Sequence, residues 1–240
     1  MKNSTLLISF LAYSLFFPMI VKGQVSAYNP FVCGKSSIKD IDLQTYKTVL
    51  IGTQCWMKEN LRVTRYGDGT QIPLDGSGST TGNGTGETWS TRNNGARTVY
   101  AHNPNNLMIY GYLYNWYVLS NKYKLCPKGW HVPTDSEWAT LISFLSGEPV
   151  AGGKLKATGT TLWLNPNAGA VNSSGFSALP GGYRKDDGNF NSISSNAFFW
   201  SATERSNVTA WNYYMDYNSS FVNKFNAYKK IGAYVRCLMD

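Results

Sequence analysis

The sequence predicts a single α+β domain with two main helices and short antiparallel strands. Two observations set the class. The segments with helical character precede residue 147, whereas the chain after about residue 177 breaks into short β-prone runs separated by Asn, Ser and Gly. Such segregation argues against the strand–helix alternation that a parallel sheet requires. A third observation sets the size: roughly 200 residues, rich in Gly and aromatics and poor in charge, suffice for one hydrophobic core.

In chain order, Lys2, a largely apolar run over residues 6–21 and Val21-Lys22-Gly23 read as a secretory signal peptide over residues 1–23. The rival reading is a membrane anchor, but Ser9, Ser14 and Pro18 interrupt a run already short for a span. No stable membrane span is expected after cleavage. Lipid attachment would need a Cys at the cleavage point, and the first is Cys33. Residues 24–37 read as a lead-in, and the domain is placed at residues 38–240. Thr45 to Ile51, β-branched and aromatic, reads as the first strand. Residues 67–98 carry eight glycines among Ser, Thr and Asn, and predict a long surface loop.

Residues 110–119 read as a deeply packed helix with Tyr112, Trp116 and Leu119 on one face. The clearest helix is residues 134–146. Thr134 and Glu137 form a capping box, Gly147 stops the helix, and Trp138, Leu141, Ile142 and Leu145 make one apolar stripe. Around Gly152-Gly153 the pattern is ambiguous. Short strands follow near residues 177–184, 198–204, 210–217 and 232–239, with Asp186-Asp187-Gly188-Asn189 as a hairpin turn.

Loss of Lys2 and Lys22 with the leader takes 22 basic residues to 20 against 14 acidic, a formal charge of +6. The cations are scattered, without the basic helix or arm of nucleic-acid binders, so no nucleic-acid partner is expected. Four cysteines in an exported chain predict two disulfides out of three possible connectivities. A Cys126–Cys237 bridge would tie the chain end to its middle, leaving Cys33 with Cys55. Zinc is the alternative, but no two cysteines are close in sequence and only His102 and His131 could join them. No metal and no cofactor are expected.

His131, between Trp130 and the helix cap, reads as a turn-holding residue rather than a base, and His102 as a turn residue. The acidic pairs Asp40 with Asp42, Asp135 with Glu137, and Asp186 with Asp187 lack the spacing of a calcium loop, and no Ser sits in a nucleophile elbow. No catalytic residue is assigned. Residues 189–228 differ from the rest: Asn, Tyr and Ser make up 19 of 40, with Trp and Phe interleaved, the balance of rigid aromatic area and adaptable hydrogen bonding that suits binding. Strand alternation sends Trp211, Tyr213, Met215 and Tyr217 to a packed face and Asn212, Tyr214, Asp216 and Asn218 to an open one. The expected contact surface is Trp200, Glu204, Asn212, Tyr214, Asp216, Asn218, Phe221 and Asn223.

Five ordered blocks carry a family resemblance. They are Gly52-Thr53-Gln54-Cys55-Trp56-Met57 with Glu59-Asn60-Leu61, Tyr110-Gly111-Tyr112-Leu113-Tyr114-Asn115-Trp116, Cys126-Pro127-Lys128-Gly129-Trp130-His131-Val132-Pro133-Thr134 with Glu137-Trp138, Leu179-Pro180-Gly181-Gly182-Tyr183-Arg184, and Val235-Arg236-Cys237-Leu238. The chain from about Ile38 to Asp240 resembles the Fibrobacter succinogenes major paralogous domain, a family of exported bacterial proteins. That resemblance implies a fold and no catalytic assignment.

Val132-Pro133-Thr134-Asp135-Ser136-Glu137-Trp138 and Gly232-Ala233-Tyr234-Val235-Arg236 are also similar to the C-type lectin fold, in the branch shared with formylglycine-generating enzymes. That likeness implies pairing of the first and last strands, Thr45 to Ile51 beside residues 233–238. No motif around the four cysteines matches the reactive cysteine site of those enzymes, so their activity does not carry over. The calcium-dependent sugar triplets of the fold are absent, since Glu148-Pro149 is followed by Val150 and Trp211-Asn212 by Tyr213.

Some proteins of this fold are targets of diversity-generating retroelements, which enrich Asn, Tyr, Ser and Asp near the C-terminus. An AT-rich genome with ordinary hairpins gives the same composition, and a template repeat with a reverse transcriptase in the neighbouring DNA separates the two. The expectation is an exported, non-catalytic binding protein at the cell surface or secreted, taking an extracellular glycan or surface protein. The alternative is an enzyme acting on envelope or extracellular polysaccharide or protein.

Overall fold

The computed structural model describes residues 30–75 and 88–240. The segment read as a signal peptide and most of the predicted lead-in lie outside the described residues. The chain divides into Met1–Phe31 and a compact unit, Val32–Asp240. The unit therefore takes in the end of the predicted lead-in, which the Cys33–Cys55 disulfide ties down. It combines a few short helices with two five-stranded sheets and a two-stranded one, a mixed α and β architecture with strands dominant.

The first sheet begins with β1 (Ser37–Lys39), β2 (Thr45–Ile51) and β3 (Gln54–Met57). Tyr46 and Thr48 point inward from β2 between the exposed Thr45 and Lys47 and the half-buried Val49, the period-two burial of a strand with one wetter face. The two-residue turn to β3 places Gly52 at φ +61, which suits glycine. The sheet order is β1-β2-β3-β12-β6, with β6 (Trp130–His131) and β12 (Leu238–Met239). The last strand therefore pairs with β3 through Leu238 and Trp56, not with β2 as expected. The short β2–β3 hairpin keeps those two strands adjacent and gives β3 the inner position.

The predicted helix over residues 110–119 is not formed. Asn103 caps α1 (Pro104–Tyr110), accepting a hydrogen bond from the Asn105 N–H at 3.0 Å, and Pro104 occupies its first turn. Gly111 ends the helix at φ +82, where a Cβ would meet the Leu61 carbonyl oxygen at 2.9 Å. Leu113–Tyr114 then forms β5, paired with β4 (Arg97–Thr98), and Trp116–Leu119 is a single turn, α2. Of the face expected to be buried, Tyr112 and Trp116 lie in the core and Leu119 is half-buried against it.

The second predicted helix is present as α3 (Asp135–Phe144). Its capping box is complete, and Trp138, Leu141, Ile142 and the C-cap Leu145 are buried. The ambiguous glycine pair lies in a further helix, α4 (Glu148–Leu155).

Residues 67–98, read as a surface loop, mix exposed positions with buried anchors where described. Ile72, Asp75, Trp89, Ala96 and Thr98 are buried. Asp75 pairs with Arg184, whose guanidinium also lies 4.4 Å from the Trp89 ring centroid, so Arg184 anchors the described residues Asp75 and Trp89. Residues 76–87 of that stretch lie outside the described residues.

The second sheet has the order β11-β10-β9-β7-β8, with β7 (Gly181–Arg184), β8 (Phe190–Ile193), β9 (Asn196–Glu204), β10 (Thr209–Asp216) and β11 (Val222–Tyr228). The β7–β8 connection is the expected hairpin turn, with the Lys185 N–H donating to the Asn189 carbonyl at 2.7 Å.

One side of this sheet packs on α3. Trp138 stacks on Tyr213 at 4.9 Å and lies 5.0 Å from Trp56, so two signature tryptophans are core residues. Both disulfides join the expected partners, Cys33 with Cys55 and Cys126 with Cys237. No thiolate remains for the zinc alternative.

Candidate functional site

The open part of the second sheet is a groove built by register. Antiparallel pairing sets Tyr214 opposite Phe198 on β9 and Asn223 on β11, and sets Asn212 opposite Trp200 and Phe225. Residues directly opposite share a face. Phe198 and Tyr214 stack at 5.3 Å with 22° between their planes, and Tyr183 and Phe225 close on Phe198 at 4.6 and 6.0 Å. These four rings line a cavity of ≈ 450 Å³ with Tyr228 and Ile231, and Lys185 and Asp186 stand at its rim. One cation and one carboxylate leave the rim formally neutral.

The predicted contact face is graded along the strand. Tyr213 and Met215 are buried against α3 as expected, and Trp211 is half-buried. On the other face Tyr214 and Asp216 are half-buried and Asn218 is exposed. Two assignments need correction. Asn212 is 0 % exposed, closed between Trp200 and Phe225, with neither amide atom hydrogen-bonded. Trp200 is also 0 % exposed, and its indole N–H donates to the Tyr114 carbonyl at 2.8 Å. Trp116 reaches the same strand, donating to the Ser201 carbonyl at 3.0 Å, so residues 110–119 cover this end of the face. Neither Asn212 nor Trp200 is open to a ligand.

The remaining predicted residues occupy separate places. Glu204 is exposed and pairs with the buried Lys229 ammonium. Asp216 is committed to the turn, one carboxylate oxygen accepting from Asn196 Nδ2 at 2.8 Å and the other from the Asn218 N–H at 2.7 Å. Phe221 is 45 % exposed just before β11, and Asn223 is half-buried beside Tyr214. Sequence reasoning missed Tyr183, Phe198, Phe225 and Tyr228. Alternation within each strand was visible, but the cross-strand register that gathers these rings was not.

The turn after β10 is held from below by Lys156. Its buried Nζ donates to the carbonyls of Ala168, Asp216 and Ser219 at 2.9, 2.8 and 2.7 Å. Burial pushes this ammonium down to about 8, partly opposed by the Asp216 carboxylate.

His131 is engaged at both ring nitrogens, Nδ1 with Asp240 at 2.6 Å and Nε2 with Glu137 at 2.8 Å. Burial disfavours its charged form, but the Asp240 and Glu137 carboxylates outweigh that and raise its pKa. Glu137 meanwhile accepts from the Thr134 N–H and hydroxyl, both at 2.7 Å. The imidazole thus braces the helix cap, and neither nitrogen is free to take a substrate proton.

Residues 49–239 match the family model described as Fibrobacter succinogenes major domain. No curated protein and no solved structure matches.

Proposed function

Because this chain belongs to the Fibrobacter succinogenes major domain family, a membership that assigns no chemistry, we propose a function from the site itself: an exported, non-catalytic recognition domain of C-type lectin-like fold. Its ligand is an extracellular glycan or surface protein. The observation that carries the reading is the half-open aromatic cavity of ≈ 450 Å³ walled by Tyr183, Phe198, Tyr214 and Phe225.

Aromatic faces stack on the apolar side of a sugar ring, while Asn226 and the Tyr hydroxyls of the lining hydrogen-bond its hydroxyl groups. A rim with one cation and one carboxylate suits a neutral ligand over a polyanion. The two disulfides fit the oxidising compartment that export implies. Against the enzyme alternative stands His131, with both nitrogens held by carboxylates.

Retroelement targeting would require the varied positions to be free of packing constraints. Asn196, Ser201, Asn212 and Tyr213 are buried, which favours ordinary hairpins as the source of the composition. The test is an array of bacterial and host glycans and surface proteins probed with purified protein, with and without chelator. The expected result is saturable capture of one ligand class, unchanged by chelator. Absence of capture by the whole array overturns the reading.

A further inference from the structure

A second cavity, of ≈ 280 Å³, lies away from the groove, between α1, the segment after β3 and the segment before β7. Four of the five sequence blocks that carry the family resemblance meet there, contributing Glu59-Asn60, Tyr110-Gly111, Leu179 and Arg236. Arg236 is 1 % exposed, and among the described residues no carboxylate lies within ion-pair distance of it. Its partners are neutral: Nε donates to Asn60 Oδ1 at 2.8 Å, Nη1 to the Phe176 carbonyl, and Nη2 to the Ser177 carbonyl at 3.1 Å. The guanidinium also sits 4.2 Å from the Phe176 ring centroid. A guanidinium has five N–H groups, so two remain beyond these three bonds.

Burial pushes Arg236 down to about 9, partly opposed by the Glu59 carboxylate. An enclosed cation without a contacting anion is costly to keep and gains strongly when a carboxylate docks on it.

The walls extend the same logic. Lys47, Lys58 and Arg62 join Arg236 against the single acid Glu59, four cations to one carboxylate. Glu59 is already engaged, accepting from the Lys47 N–H at 2.8 Å, and Arg62 Nε has no hydrogen-bond partner. The apolar part of the lining is Leu179 with Met108 and Ile109, which are 72 % and 45 % exposed. The volume sits just below the usual pocket range of about 300 to 1,000 Å³, which limits the occupant to a small molecule.

We propose that this cavity is a second binding site, for a small amphiphilic carboxylate, with the carboxylate on the free N–H groups of Arg236 and the alkyl or aryl tail against Met108, Ile109 and Leu179. The bidentate match between guanidinium and carboxylate favours this headgroup over a single hydroxyl.

Calorimetric titration of the purified protein with octanoate, octan-1-ol and acetate tests it. The expected result is saturable octanoate binding at least about tenfold tighter than either comparator, weakened by added salt. Arg236 pins Phe176 and Ser177, so its replacement risks misfolding. The paired rim change Lys47→Glu and Arg62→Glu is expected to weaken octanoate at least about tenfold at unchanged melting temperature, and Ile109→Asp to act likewise. Tyr214→Ala, in the groove, is expected to leave octanoate binding unchanged, which separates the two sites. Octan-1-ol binding as tightly as octanoate, or no saturable octanoate binding at millimolar concentration, overturns the proposal.

Discussion

No room exists for a side chain between Gly152 of α4 and the carbonyl of Phe221: a Cβ on Gly152 would stand 2.2 Å from that oxygen. Gly153 is as close to the Gly169 carbonyl, and its N–H donates to the Ser220 carbonyl at 3.0 Å. Helix propensity alone favours Ala over Gly by about 1 kcal/mol. The clash is with backbone, which cannot swing aside, and forced overpacking costs about 1–3 kcal/mol. Gly152→Ala is therefore expected to lower the melting temperature, as calorimetry will show, and a rise would mean that the β10–β11 turn does not rest on α4.

His131 and Glu137 set a pH window. The imidazole pKa is raised above its usual 6.5, so its contribution to stability is complete below 6.5 and is lost as pH climbs through the folded value. The Glu137 carboxyl is pushed up by burial but held lower overall by Thr134 and His131. Its contribution is complete above 4.5 and is lost as pH falls through the folded value. Both are at full strength between 4.5 and 6.5. Denaturant melts across pH are expected to show His131→Gln removing the decline on the alkaline side. A decline that persists in the variant would assign it to another group.

The two disulfides span unequal lengths of chain, 111 residues for Cys126–Cys237 and 22 for Cys33–Cys55. In the chain-entropy account a loop of about 100 residues contributes close to 4.7 kcal/mol and one of about 15 close to 3. Replacing Cys126 and Cys237 by Ser is expected to lower stability more than replacing Cys33 and Cys55, measured by urea unfolding of the two double variants. The reverse order would contradict the pairing's assigned role at the end of the chain.

Asn212 holds a buried amide without a partner. An unsatisfied buried amide costs about 1–3 kcal/mol, and replacing it with an apolar group of similar shape relieves that cost. Asn212→Leu is expected to raise the melting temperature. A drop would indicate a bound water at the amide.

What could be read from residues alone was local. The α3 capping box, its apolar stripe, β2 and the Asp187-Gly188 turn depend on neighbours within a few positions, and all are present. The helix assigned to residues 110–119 failed because tertiary demands overrode an aromatic run: Gly111 abuts Leu61, and Leu113–Tyr114 pairs with Arg97–Thr98. Alternation along β10 correctly separated its two faces. It could not tell that Trp116 and Trp200 bring the core over Asn212 while leaving Tyr214 half open, since that depends on residues about 85 positions apart. The Arg236 cavity was hidden for the same reason, its wall being assembled from blocks distant in sequence.

The most direct test of the recognition reading compares wild-type protein with Tyr214→Ala and Tyr228→Ala on the glycan or surface protein captured in the array, by surface plasmon resonance with melting temperatures in parallel. Tyr228 is 58 % exposed, so its loss leaves folding intact. Both variants are expected to lose at least about tenfold in affinity, 1.4 kcal/mol, with the Tyr228 variant melting as wild type. Wild-type affinity in both variants would contradict the groove as the place where this protein meets its ligand.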